Sequence, residues 1–408
     1  MINKYITATF LAVASIGNIS SQNVRPVPKL VVNIAIDQLR TDYIEAFIPY
    51  YSEGGIKKLL RNGAVYSNAQ YMFSPVDRAS SIASISTGTS PSSNGITGFR
   101  WLNKNTLIPV NCVDDNSYEG IFTKEGASPK NIITTTINDE LKIATEGDAI
   151  VYSIALERDA AVIGGGHAAD GALWFNKDNK CWCSSKYYFK KAPSWLESYN
   201  LLYANNFTED NVNANITNVA LECVNSCGMG TDDITDMLSL TYSVKIPVKK
   251  INKQQLQNTY IQLDKELEKL ISKLESKIGI NNLLFVVTST GYCDEKEINY
   301  EKYRIPSGTF YINRTANLLN MYLGAIYGQD KYIESCFYNQ IFLNLRQIEL
   351  KRINISDLLS RAQSFLIQNS GIKNVFTSND LMLYGDKNDS KLRNWYNPDN
   401  CGDLIIEV

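Results

Sequence analysis

The stretch FSPVDRASSIASISTGTSP, Phe73 to Pro91, crowds hydroxyl side chains around a single arginine, Arg78. A serine or threonine attacks phosphorus only when a base or a metal ion takes up its proton, so a wealth of hydroxyls does not make a nucleophile. Ser80 and Ser81 fall in the first turn expected of a following helix, where capping and packing are the ordinary tasks of such residues. The acidic residues open to chemistry are Asp37, Asp77, Glu157 and Asp159, an oxygen-only set of the kind that suits magnesium or calcium. Histidine is nearly absent: the whole chain has one, His167, in the glycine-rich run GGGHAAD.

Cysteine offers a second chemistry. Of eight cysteines, Cys181 and Cys183 flank Trp182, and Cys223 and Cys227 are four apart. Neither spacing is that of a zinc knuckle, and no histidine lies nearby. One short disulfide between Cys223 and Cys227 is expected, with reduced buried thiols as the alternative.

These residues need a scaffold, and 408 residues are enough for one large α/β domain with insertions, or for two domains. Forty basic and 42 acidic residues give a net charge of −2 without long single-sign runs, which argues against nucleic acid or an anionic membrane surface as partner. Lys4 followed by the apolar run Tyr5 to Gly17 and then small residues reads as a secretory leader over 1–21, cleaved near Ser21 or Gln22. No later run approaches the roughly 20 apolar residues of a membrane span. The mature chain is therefore expected in the periplasm or outside the cell.

Lys29 to Ile36, KLVVNIAI, is a continuous apolar run fit for a strand buried on both faces of a parallel sheet, and it places Asp37 at the strand's carboxyl end. Open α/β sheets bind their ligands at such ends, although capping a following helix is an equal use for an aspartate there. Helices are expected over Ile56 to Leu60, stopping at Asn62-Gly63, and over Thr134 to Thr145; extended pieces over Ala64 to Ser67 and Ala149 to Leu156. Gly164, Gly165 and Gly166 are expected to force a loop around His167. Leu267, Leu270, Ile271, Leu274 and Ile278 share one helical face, and that helix feeds NNLLFVVTST, another buried strand ending in Ser289 and Thr290. Ile312 to Leu366 reads as helices and short strands, and Asp403 to Val408 as a closing strand. Strands alternating with helices predict an α/β sandwich.

Several of these segments resemble the alkaline phosphatase superfamily, most of all its secreted phosphate-irrepressible alkaline phosphatases, with type I phosphodiesterases and nucleotide pyrophosphatases further off. LVVNIAIDQLRTDY looks like the first strand with its aspartate, SIASISTGTSPSSNGITG like the segment after the nucleophile, AAVIGGGHAADGALWF like the glycine loop, and NNLLFVVTSTG and YNPDNCGDLIIEV like late segments. The resemblance covers most of the mature chain. It implies a three-layer sandwich around a mostly parallel sheet over 22–408, with cap-like insertions near 101–130, 171–230 and 291–380. It also implies, for the family, two zinc ions held by aspartates and histidines, and an attacking threonine or serine.

Carried over residue by residue, the family's machinery is missing from this chain. The nucleophile falls on Arg78, a permanent cation. The phosphate-contacting asparagine falls on Phe99, and the lysine and arginine before the glycine loop on Glu157 and Asp159, a reversal of sign that would repel a phosphate dianion. The metal-binding pair of the middle segment would lie in SLTYSVKIP, Ser239 to Pro247, which has neither Asp nor His. The aspartate-histidine pair ending the late strand falls on Ser289 and Thr290, and the last histidine lies past a segment like the one that ends at Val408. Asp37 alone survives among the ligands, and His167 corresponds to a loop-organising residue.

Three readings follow. The first is a pseudoenzyme without metals or other cofactors that binds an unidentified protein, anionic ligand or glycan, or serves a structural role; in it Arg78 pairs with Asp37, guanidinium standing in for metal charge. The second is a divergent phosphoesterase, acting on monoesters or diesters, rebuilt from Asp37, Asp77, Asp159, Glu157 and a serine with magnesium or calcium. The third uses Arg40, Arg78, Arg100 and Arg158 to hold a sulfated or phosphorylated glycan.

Overall fold

A computed structural model of the protein describes residues 27–203, 212–244, 253–291, 304, 308–383 and 390–408. The expected leader lies outside the described residues. A seven-stranded sheet runs through the larger part of the molecule in the order β4-β7-β6-β5-β8-β1-β9. Its strands are β1 (Leu30–Asp37), β4 (Gly120–Ile121), β5 (Val151–Ala155), β6 (Gly171–Asn176), β7 (Cys181–Ser185), β8 (Asp236–Ser243) and β9 (Leu283–Ser289), while β2 (Arg100–Leu102) and β3 (Pro109–Asn111) pair apart as a hairpin. Strands β6, β5, β8, β1 and β9 are parallel neighbours; β7 and β4 continue the sheet antiparallel beside β6.

Alternation along β1 explains how the sheet holds its two layers. Leu30, Val32, Ile34 and Ile36 enter a core shared with the helices Val212–Ser226 and Lys253–Ile278. Ala35, on the other face, joins Ala79, Ile82 and Ala83 of the helix Arg78–Thr87 and Ala160 to Ile163 of the helix Arg158–Gly165. Small residues let these two helices lie close to the sheet and to each other. Register brings the carboxyl ends together: Asp37 is opposite Ser243, and Ile36 opposite Ser289.

A smaller antiparallel sheet, β10 (Ile333–Phe337), β11 (Gln340–Leu343), β13 (Leu404–Glu407) and β12 (Asn374–Thr377) in that spatial order, packs with the helices Ile312–Tyr327 and Ile355–Leu366. An aromatic cluster of Phe73, Phe376, Trp395 and Tyr396 fastens it to the segment that leads into the helix Arg78–Thr87. Trp395 Nε1 donates to Thr97 O at 2.6 Å, and Asn400 Nδ2 to Gly95 O at 2.8 Å. A buried indole N–H needs such an acceptor, so the cluster is held in one orientation.

The structure corrects several expectations. Ala64 to Ser67 forms no strand. Gly164 and Gly165 belong to the helix Arg158–Gly165, and only Gly166, at φ 75°, makes the turn toward His167. β9 is not buried on both faces: it lies at the edge of the sheet, with Leu284, Val286 and Val287 exposed. Residues 171–230 open with β6 and β7, strands of the central sheet itself. Cys223 and Cys227 are free thiols at the end of one helix, and none of the described cysteines is bridged.

Candidate functional site

Asp37 and Arg78 meet at the carboxyl ends of the central strands. Asp37 ends β1, and the chain leaves it through Gln38, whose φ of 64° lies in the left-handed region that non-glycine residues rarely adopt. Asp37 is almost fully buried, and its Oδ1 accepts from Thr290 Oγ1 at 3.1 Å. The same threonine oxygen accepts from the Gln38 backbone N–H at 3.3 Å. Thr290 thus stabilises the turn and the carboxylate together.

Arg78 is the first residue of the helix Arg78–Thr87, which Asp77 caps in a box with Ser80. Its guanidinium grips Asp159 with two parallel bonds, Nε to Oδ2 at 3.1 Å and Nη2 to Oδ1 at 2.9 Å. Nη1 lies 3.9 Å from Asp37 Oδ2. The expected Arg78–Asp37 pair is present, but the closer partner is Asp159, in the first turn of the helix Arg158–Gly165. Both carboxylates are 5% exposed and the guanidinium 24%. Burial by itself would lower the Arg78 pKa; the charge and bonds of Asp159, with Glu157 and Asp37 behind them, outweigh it and raise the value. A bidentate fork of this kind is the strong form of an ion pair.

The remaining residues expected at the site have other employment. Asp77 accepts from Ser80 N and Oγ and from the Phe99 backbone N–H at 2.7 Å, and its burial raises its carboxyl pKa. Phe99 meets Asp77 through that N–H alone, its carbonyl accepts from Cys112 N, and its ring is partly exposed. Ser81 Oγ lies 2.5 Å from Thr290 O and 2.6 Å from Asp77 O, so its single proton goes to a backbone carbonyl. Ser289 Oγ donates to Leu39 O. Glu157 is half exposed and lies 3.8 Å from Lys177. The four arginines do not gather for an anion: Arg158 pairs with Asp114 and Glu125, Arg40 with Asp42, and Arg100 is exposed.

His167 sits past the opposite end of the helix that carries Asp159. Its Nδ1 is 2.9 Å from Asp139 Oδ2 and its Nε2 3.0 Å from Ile132 O. A carboxylate on one side and a carbonyl on the other ask both ring nitrogens to donate, which favours the imidazolium; the Asp139 bond raises the His167 pKa against the opposing effect of burial. Asp139 also accepts from the backbone N–H of His167 and of Ala168. Burial pushes its pKa up, yet these bonds prevail and bring it down to about 2. The pair pins the glycine loop.

Two zinc ions do not fit this donor set. Asp37 has Thr290 on one oxygen and the Arg78 guanidinium facing the other, Asp159 is held by Arg78, and Ser289 and Thr290 offer neutral hydroxyls already in use. Ser239 to Ser243 in β8 are without Asp or His; Lys245 to Pro247 lie outside the described residues.

One relation escaped the sequence. Arg78 and Asp159 fall on two separate positions of the phosphatase pattern, and their opposite signs are the one sequence signal that the two side chains pair.

A mostly parallel sheet sandwiched by helices, with its acidic residue at the carboxyl end of the first strand, defines an alkaline-phosphatase-like α/β protein. Residues 31–335 match the type I phosphodiesterase / nucleotide pyrophosphatase family, and the chain belongs to it. Alkaline phosphatase PafA of Elizabethkingia meningoseptica is 25% identical over 97% of this chain and 84% of its own length. Alkaline phosphatase PhoV of Synechococcus elongatus is 25% identical over 93% of this chain and 80% of its own. The crystal structure of wild-type PafA superposes with a TM-score of 0.80 at 24% identity, covering 94% of this chain and 85% of the other. Among the described residues no helix is long and apolar enough to cross a membrane.

Proposed function

We propose that this chain is an exported member of its phosphoesterase family that no longer hydrolyses phosphate esters and acts as a binding or structural component, with a protein or glycan partner. The bidentate Arg78–Asp159 pair carries this reading. It joins the position expected of the nucleophile to a position expected to hold phosphate, so the charge that would grip a substrate is spent inside the protein. An entering phosphate dianion would have to break a strong ion pair and then face two buried carboxylates, Asp37 and Asp159. A hydroxyl nucleophile without a metal ion or a free base would still be a weak one.

Turnover of an aryl phosphate and an aryl phosphodiester, with and without added zinc or magnesium, tests the proposal. No release above a buffer control is expected, nor any from Arg78→Thr, because restoring one hydroxyl leaves the ligand positions at Ser289 and Thr290 unchanged. Turnover that disappears in Asp37→Asn would overturn the reading in favour of a phosphoesterase rebuilt on oxygen ligands. Export rests on Lys4 and the apolar run behind it; sequencing the secreted protein's first residues, expected near Ser21 or Gln22, checks it.

A further inference from the structure

One strand in from the far edge of the central sheet, four strands away from β1, Cys181 and Cys183 project from the same face of β7. Three intervening strands put about 19 Å between them and the Asp37 region at the usual strand spacing. Their sulfurs are 3.7 Å apart. The carbonyl oxygen of Phe122, which follows β4, lies 3.8 Å from Cys181 Sγ and 3.1 Å from Cys183 Sγ. Phe122 is held at φ 60°, and its oxygen accepts from Asn179 Nδ2 at 2.9 Å. Asn176 Nδ2 reaches back to Thr123 Oγ1 at 3.2 Å, so the turn between β6 and β7 is tied to the strand exit that presents the carbonyl.

We infer that Cys181, Cys183 and the Phe122 carbonyl form a three-donor site for a thiophilic divalent ion of the zinc class. Bonds of about 2.3 Å to sulfur and about 2.1 Å to oxygen at tetrahedral angles require edges of about 3.8 Å between sulfurs and about 3.6 Å between sulfur and oxygen. The 3.7 Å edge between sulfurs and the 3.8 Å edge from Cys181 to the carbonyl match these values before any ion arrives, while the 3.1 Å edge from Cys183 to the carbonyl is about 0.5 Å short and must open as the ion enters. Among the described residues no three His, Cys, Asp or Glu side chains cluster for a metal, so the third donor comes from the backbone and the fourth position is left for water. Cys183 is fully buried and Cys181 partly exposed, which gives the ion a way in through Cys181. Binding releases the thiol protons to solvent as both sulfurs become thiolates. The sequence spacing had argued against zinc because C-x-C is no knuckle; the third donor comes from a turn some 60 residues away, which spacing cannot reveal.

Cadmium titrated into chelator-stripped full-length protein provides the readout, through the ultraviolet sulfur-to-metal charge-transfer band. One equivalent should saturate the band, zinc should compete it away, and Cys181→Ser should weaken binding by about tenfold or more. Cys183→Ser should do the same, and if its buried position prevents folding, the half-buried Cys181→Ser decides alone. Cys336→Ser and Asp37→Asn should leave the band unchanged. A band that persists undiminished in Cys181→Ser, or that disappears in Asp37→Asn, or no band at all, would overturn the site, whatever the outcome of the phosphatase assay.

Discussion

The helix Arg158–Gly165 has a charged pair at each end, and the two differ in kind. Before its first turn is complete, Asp159 reaches across to Arg78, 81 positions earlier in the chain; beyond its last turn, His167 reaches Asp139, 28 positions earlier. Each pair satisfies a buried carboxylate, Asp159 at 4% and Asp139 at 5% exposure. The Arg78 end lies where the resemblance would place the family's nucleophile, and its cation cannot titrate. The His167 end holds a loop and its cation can. The same physical need, a partner for a buried acid, has therefore been met once by a fixed charge that closes a site and once by a switchable charge that shapes a turn.

Breaking the fixed pair should have the largest effect. Asp159→Ala leaves the Arg78 guanidinium, three-quarters buried, with Asp37 at 3.9 Å and the more distant charge of Glu157 but no bidentate partner, and should destabilise the protein by about 3 kcal/mol in chemical denaturation. Arg78→Thr alone should cost a similar amount by taking the bidentate partner from Asp159 and the nearby cation from Asp37. The double variant Arg78→Thr/Asp159→Ala should cost clearly less than the sum, since the fork is then lost once and neither of its two partners is left charged without the other. Strict additivity would mean the pair is not coupled and would remove the main support for the closed site.

The switchable pair should respond to pH. His167 is raised above its ordinary 6.5, so its contribution to stability is complete below about pH 6.5 and is lost as pH rises through the folded value. Asp139, depressed to about 2, contributes above its ordinary 3.8 and loses that contribution as pH falls toward about 2. His167→Gln should therefore cost about 1 kcal/mol at mildly acidic pH and less in alkaline solution. Because the chain has a single histidine, one imidazole NMR signal reports the titration without assignment. A midpoint at or below 6.5 would contradict the geometry at this end of the helix.

Much of the scaffold was legible because burial writes itself into apolar runs. KLVVNIAI and Ala149 to Leu156 mark β1 and β5 to within two residues at either end, and the Leu267–Ile278 face marks the carboxyl-terminal half of the helix Lys253–Ile278. The failures have physical causes too. Val65 and Tyr66 have the propensity of a strand, but no strand among the described residues pairs with them and they stand in solvent. β9 is as apolar as a central strand and sits at the edge, because sheet order depends on pairing and not on composition. At the site, individual positions could be read from the family pattern, whereas the fork between Arg78 and Asp159 is a three-dimensional fact: two helices pack on small residues and bring opposite charges together.

The smallest expected effect probes Thr290. Thr290 follows β9, where the resemblance places half of a metal-binding pair, yet its hydroxyl donates to Asp37 and accepts from Gln38. Thr290→Val keeps the shape and removes both bonds. If Arg78 and Thr290 divide the care of Asp37 between them, the loss should be about 1 kcal/mol, the ordinary worth of a buried hydrogen bond to a group that retains another partner. Should Thr290→Val instead cost as much as Asp159→Ala, the threonine and not the arginine would be the main partner of Asp37, and the 3.9 Å Arg78–Asp37 approach would be incidental to a fork built for Asp159 alone. Comparing the Thr290→Val cost in the wild-type and Arg78→Thr backgrounds separates these cases: a larger cost without the arginine means that both groups stabilise one carboxylate, and an equal cost means that they act independently.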